Sequence, residues 1–122
     1  MRLKDFEMLF KALSDKQRLR IISLLAKGPL VVNDIKSVLH VSMSTVSQHL
    51  TILKYAEIVE DDKQGRWVFY SLVPAIAAGE DLRSTIVREL IQHFHEEEAF
   101  EYDYKLLQKM KTPGYGFKTE PG

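Results

Sequence analysis

The 122 residues suffice for one domain with its own core, and the composition, 45% hydrophobic and 28% charged, is that of a globular protein. There is no cysteine, which excludes disulfides, thiolate metal sites and thiol redox switching. The net charge of zero argues against strong non-specific binding to a polyanion. It hides an asymmetry: residues 1–72 carry 11 Lys/Arg against 8 Asp/Glu, and residues 73–122 carry 6 against 9. The N-terminal part is therefore the one expected to face a polyanion. No run is long enough to span a bilayer and no signal-peptide pattern opens the chain, so no membrane partner and a cytoplasmic location are expected.

Leu3 to Leu13 reads as a helix with Leu3, Phe6, Phe10 and Leu13 along one stripe. It is too short to stand alone and must pack on something. Ser14-Asp15-Lys16-Gln17 fits a capping box with the Ser14 hydroxyl at the cap. A second helix then runs to about Lys27, with Leu19, Ile21, Ile22 and Leu25 inward, until Gly28-Pro29 ends it. A short third helix covers Val32 to Leu39. After the link His40-Val41, Ser42 can cap a fourth helix, Ser42 to Ala56. Val46, Leu50 and Leu53 form its apolar stripe, and Ser44, Thr45, Ser47, Gln48, Thr51 and Lys54 its polar face. That face holds many short hydrogen-bonding groups and one charge, which suits pressing against a polar surface. Two helices joined by a short turn make a helix-turn-helix unit, and the second of them is its recognition helix.

Trp67 to Leu72 is β-branched and aromatic and reads as a strand, and Gly65 supplies the positive φ of a hairpin turn. A hairpin placed there is a wing, with Lys63 and Arg66 at its tip. Glu60, Asp61 and Asp62 lie just before the tip, so modest DNA affinity with a steep salt dependence is expected. Glu80 and Asp81 favour a helix start. Leu82, Ile86, Leu90 and Phe94 follow at i+4 spacing, beside Val87 and Ile91. The winged core can cover only part of this wide face, which predicts a second copy on the other side. Residues 96–111 continue as helix or near-helix, and 112–122 reads as a mobile tail. The fold class is thus mainly α with a small β-hairpin wing (α+β). Residues 1–111 form the domain, with about 80–111 devoted to dimerisation.

Three segments, FKALSDKQRLRIISLL (10–25), VSMSTVSQHLTILKYAEIV (41–59) and GRWVFYSL (65–72), together resemble the ArsR/SmtB family of winged-helix transcriptional repressors. The resemblance implies a homodimer of winged helix-turn-helix units, joined through the first and last helices. Leu3, Phe6, Leu82, Ile86, Leu90 and Phe94 would lie at that interface. It also implies binding of double-stranded DNA at a pseudo-palindromic operator, usually as a repressor. Ser44, Thr45, Ser47, Gln48 and His49 would contact the groove, with Lys54, Lys63 and Arg66 as basic contacts. Gln can pair bidentately with adenine, and Ser and Thr reach phosphate or base edges. The rival for this surface is a polar helix that touches nothing, or a winged-helix module for protein contacts with DNA binding lost.

The family's metal properties do not carry over with the resemblance. Its thiolate site would need cysteines where this chain has Leu30-Val31-Val32-Asn33-Asp34. Its other site pairs Asp-x-His with His-x-x-His or His-x-x-Glu, and this chain has Asp81-x-Arg83. Zinc or nickel held by Asp81, His93, His95 and Glu96 is a chemical option, making a metal-responsive repressor the alternative. A solvated, charged helix end is the favoured reading, no cofactor is required, and the effector is not identified. Phe100, Tyr102, Tyr104, Tyr115 and Phe117 read as packing over the dimer interface, or else as an organic-effector pocket or partner surface. No phosphate loop or nucleophile-base set is present, Ser47 and His49 being a helix pattern, so an enzyme is not expected.

Overall fold

The computed structural model of the chain describes residues 1–111. Residues 112–122, with the expected tail and the aromatic residues Tyr115 and Phe117, lie outside them. Seven helices and one hairpin follow in the order α1 (Leu3–Leu13), α2 (Lys16–Leu25), α3 (Val32–Leu39), α4 (Met43–Tyr55), β1 (Val59–Gln64), β2 (Trp67–Leu72), α5 (Ala75–Ala78), α6 (Leu82–His93) and α7 (Glu98–Met110). A single 3-10 turn, Phe94–Glu96, separates α6 from α7. No helix of the described residues is long and apolar enough to cross a membrane.

The core is built by α2, α3 and α4. Ile21, Ile22, Leu24, Ile35, Val38, Val46, Leu50 and Leu53 are all essentially inaccessible. The inward stripe expected of α4, Val46-Leu50-Leu53, is the one the fold buries. α1 behaves differently. Leu9 and Ala12 enter the core, while Leu3 (86% exposed), Phe6 and Phe10 face outward. The helix has apolar residues on two sides, and the protomer uses only one of them.

Two local expectations are corrected. The cap of α2 is Asp15, not Ser14. The Asp15 carboxylate accepts from the backbone N–H groups of Gln17 (2.9 Å) and Arg18 (3.1 Å), and Ser14 turns back onto the Lys11 carbonyl. Two orphan N–H groups and the positive end of the helix favour the carboxylate over the hydroxyl. The same helix stops at Leu25, short of Lys27, and Gly28 adopts φ +145°, a conformation open to glycine. His40 closes α3 in the left-handed conformation (φ 58°), and its N–H donates to Lys36 O.

β1 and β2 pair antiparallel from Val59↔Leu72 to Gln64↔Trp67, around a two-residue turn of Gly65 and Arg66. Gly65 takes φ 64°, the positive value foreseen for it. Leu30 exchanges both backbone hydrogen bonds with Tyr70 (3.0 and 2.7 Å), so the loop before α3 adds a bridge on the open side of β2. The wing root is thereby tied to the helical core.

α6 buries Val87 and Ser84, leaves Leu82 exposed and Ile86, Leu90 and Phe94 half-buried. The chain does not run on as one helix. Glu97 turns extended (φ −123°, ψ 124°), Phe94 stacks on Phe100 with centroids 4.2 Å apart, and α7 folds back over α2 and α3. Its anchor is a bidentate pair: Arg20 Nε and Nη2 each lie 2.8 Å from the carboxylate of Asp103, which is 1% exposed.

Candidate nucleic-acid interface

The recognition helix begins where the sequence places its start. Ser42, with extended backbone, accepts from Thr45 N–H (3.1 Å) and donates to Thr45 Oγ1 (2.8 Å). With the apolar stripe buried, Ser44, Ser47 and Gln48 are exposed and Thr45 is half-buried. Thr51 bends its hydroxyl back to the Ser47 carbonyl (2.9 Å) and presents its methyl instead. The result is a surface of short donors and acceptors around one amide that can pair bidentately, the groups that read base edges in a major groove.

Not every residue of the expected set projects freely. His49 has 15% of its side chain exposed and is turned toward α2, with Nδ1 3.0 Å from Arg18 Nη1 and Nε2 3.9 Å from Asp15. Burial holds its pKa below the ordinary imidazole value, with Asp15 opposing and Arg18 assisting. Lys54, at the end of α4, donates to Asp61 on β1 at 2.8 Å. That contact holds the ammonium above its usual range. Lys63 and Arg66 are exposed at the wing tip. Of the three wing acids, Asp61 is matched by Lys54, and Asp62 accepts from Gln64 Nε2 (2.9 Å). The Arg18–His49 hydrogen bond and the Lys54–Asp61 ion pair were both hidden from sequence reasoning, since only the fold brings Arg18 beside His49 and Asp61 beside Lys54.

The other group of polar residues lies along α6 and beyond it. Asp81 caps α6, accepting from Ser84 Oγ (2.7 Å) and Ser84 N–H (3.2 Å), and Ser84 holds its pKa below the usual carboxylate range. His93 lies at the opposite end of the helix, about 18 Å away along the axis. Its ring nitrogens face Glu96 (2.7 Å) and Glu89 (3.3 Å), which raise its pKa, Glu96 foremost. His95 Nδ1 lies 2.8 Å from the Gln92 carbonyl. Among the described residues no group of three or more His, Asp or Glu is arranged to hold a metal ion.

A recognition helix packed across a second helix, followed by a hairpin, defines a winged-helix DNA-binding transcription regulator. The sequence pattern of "Bacterial regulatory protein, arsR family" matches residues 15–61. The transcriptional repressor SdpR of Bacillus subtilis is 41% identical over 63 residues, covering 52% of this chain and 70% of that protein. The arsenical resistance operon repressor of Escherichia coli is 44% identical over 71 residues, 57% of this chain and 61% of that protein. Among solved structures, HlyU from Vibrio cholerae superposes with a TM-score of 0.62 at 27% identity, over 78% of this chain and 99% of that one. A homodimeric winged helix-turn-helix DNA-binding domain from Mycobacterium bovis gives 0.59 at 29% identity, over 77% and 84%. The chain belongs to the arsR family of bacterial regulatory proteins, whose named relatives here are transcriptional regulators and not enzymes.

Proposed function

We propose that two copies of this chain bind a pseudo-palindromic duplex and repress transcription from it. The observation that carries this reading is the Ser42-capped helix α4. Its apolar stripe is fully buried, and its exposed residues Ser44, Ser47 and Gln48 lie on the side away from the core. In this reading Gln48 reads a base edge, Ser44, Thr45 and Ser47 touch phosphate or base, and Lys63 and Arg66 meet the backbone beside the groove. The second copy seats on the outward stripe of Leu3, Phe6 and Phe10 together with Leu82, Ile86 and Leu90 of α6 and Phe94 just beyond it. These residues are exposed or half-buried in the protomer, and a winged-helix relative from Mycobacterium bovis is itself homodimeric. Two recognition helices about 34 Å apart then enter successive major grooves.

We read Asp81, His93, His95 and Glu96 as polar helix-end contacts rather than as a zinc or nickel site. The signal that releases DNA is taken to act without a cysteine site. A signal of any chemistry acts by favouring a dimer whose recognition helices are wrongly spaced.

The test is retention of genomic fragments at low salt by the wild-type chain and by a Gln48→Ala, Arg66→Ala variant, with the mass in solution measured by light scattering. The expected result is retention by a two-chain species and its loss in the variant. A single-chain mass, or equal retention by both proteins, overturns the reading.

A further inference from the structure

The apolar stripe holds α4 on the core, and its ridge-into-groove packing sets the broad class of crossing angle, which a directional contact can narrow further. The directional contact comes from Arg18, in the first turn of α2 and only 8% exposed. Its guanidinium has three partners. Nε donates to the Ala12 carbonyl (2.8 Å) and Nη2 to the Lys11 carbonyl (3.0 Å), both in the last turn of α1. Nη1 lies 3.0 Å from His49 Nδ1, in the middle of α4. A guanidinium only donates, so Nδ1 accepts and the ring proton sits on Nε2, on the side of Asp15. Asp15 is itself held as the cap of α2 by the N–H groups of Gln17 and Arg18. One side chain thus joins the end of α1, the start of α2 and the centre of the recognition helix.

We infer that Arg18 is a positioning residue for DNA binding, which through His49 fixes the angle of α4 against α1. The inference rests on the dimeric DNA-binding reading above. α1 carries the outward face Leu3-Phe6-Phe10 on which the second copy seats, so this joint sets the separation of the two recognition helices. Arg18 touches no DNA. His49 is the acceptor through which it acts, which explains why a residue of the recognition helix faces the protein. Directional hydrogen bonds to a charged donor hold such an angle within the tolerance that base reading requires.

The joint has a chemical signature. A proton on Nδ1 sets two donors against each other at 3.0 Å, so the contact exists only with a neutral ring. The charged groups facing that ring are Arg18, which opposes the proton, and Asp15, which favours it. Acidification therefore opens the joint, below the pH at which a free imidazole titrates.

The probes are a duplex that the wild-type chain selects from a randomised pool and an unrelated duplex of equal length. Affinities for both are measured at about pH 7.5 and about pH 5. The proteins are wild type, Arg18→Lys, His49→Leu and His49→Asn. Asn places an amide oxygen where Nδ1 stands, an acceptor that does not titrate. His49→Leu and Arg18→Lys are expected to weaken the selected duplex about tenfold and leave the unrelated one unchanged. His49→Asn recovers most of that loss. The wild-type preference for the selected duplex falls on acidification, and that of His49→Asn does not. At neutral pH the nitrogen-15 spectrum of the ring shows Nε2 protonated and Nδ1 bare. A selected-to-unrelated ratio unchanged in His49→Leu, a pH response shared by His49→Asn, or a proton on Nδ1 overturns the inference while the DNA-binding reading stands. A wild-type chain that selects no duplex overturns both.

Discussion

Asp61→Asn is expected to strengthen DNA binding. The Lys54 ammonium lies 2.8 Å from the Asp61 carboxylate, and both side chains are more than one-third exposed, 43% and 36%. An exposed pair of this kind is worth at most about 1 kcal/mol of stability, so the substitution leaves the fold intact. Its effect on binding is larger because Asp61 competes with a phosphate for the same ammonium. Freeing Lys54 adds one phosphate contact per protomer, two per bound dimer, which steepens the slope of log K against log salt by about 1.8. The gain is then greatest at low salt, and between about 50 and about 200 mM it shrinks roughly 12-fold. The same competition predicts a wild-type slope shallower than a count of basic residues near the wing suggests, where sequence alone led to the expectation of a steep one. The assay is fluorescence anisotropy over a salt series, with the Asp61→Asn, Lys54→Met double variant completing the cycle. In that double variant the gain disappears. A single variant that binds no tighter than wild type, or keeps the wild-type slope, refutes the idea that Asp61 withholds Lys54 from the backbone.

Asp34 is buried at the start of α3, and burial pushes its pKa up to about 6, against the opposing Val31 N–H and the charge of Lys111. A folded-state pKa above the unfolded one means the native state binds the proton more tightly. This group therefore costs stability as pH rises from about 4 to about 6, by about 3 kcal/mol in all. Urea midpoints across that range are expected to fall with pH in wild type relative to Asp34→Asn, and parallel profiles contradict the assignment. Arg20→Met leaves the Asp103 carboxylate buried without its bidentate partner and is expected to cost about 3 kcal/mol. Because Arg20 joins α2 to α7, the loss is read both in chemical denaturation and in faster amide exchange along α7 (98–110). Unchanged protection there argues that α7 is held by its apolar face alone.

What sequence could show here is what depends on neighbours within a few turns. The bounds of α3, the Ser42 cap, the stripe Val46-Leu50-Leu53 and the turn at Gly65 all follow from local periodicity and turn chemistry, and each is where it was expected. The failures have a common form. For α1 the stripe named from sequence, with Leu3 and Phe6 assigned to a second copy, faces outward, and what periodicity did not show is that Leu9 and Ala12 enter the core. Ser14 and Asp15 are both good caps, and the choice turns on which of them has extended backbone. The break after His93 was missed because the apolar spacing runs on through Phe94, while the chain reverses so that Phe94 can stack on Phe100. The candidate interface was legible in its outward hydroxyls and Gln48. It was not legible in His49 and Lys54, whose partners Arg18 and Asp61 are set by packing.

These hidden pairings bear on how a chain of zero net charge meets a polyanion. If its basic residues all faced the duplex, its acids would have to point away. Instead, acids near the interface are matched internally: Asp15 by the α2 cap and the His49 ring, Asp61 by Lys54, Asp62 by Gln64. Only the Lys54–Asp61 pair cancels charge, and it ties up a cation beside the groove, while Asp15 and Asp62 keep their charge, so little net attraction is left to act at a distance. Affinity then depends on contacts that need correct placement, and placement depends on the angle between α1 and α4. On the proposal that Arg18 and His49 set this angle, a small rotation at their joint is expected to release the dimer, since it costs the directional contacts while little long-range attraction holds the protein on the duplex. A strongly basic face would keep the same rotated dimer bound non-specifically. On that proposal, near-neutral charge and a hydrogen-bonded joint are two parts of one arrangement, in which geometry rather than net charge decides whether DNA is held.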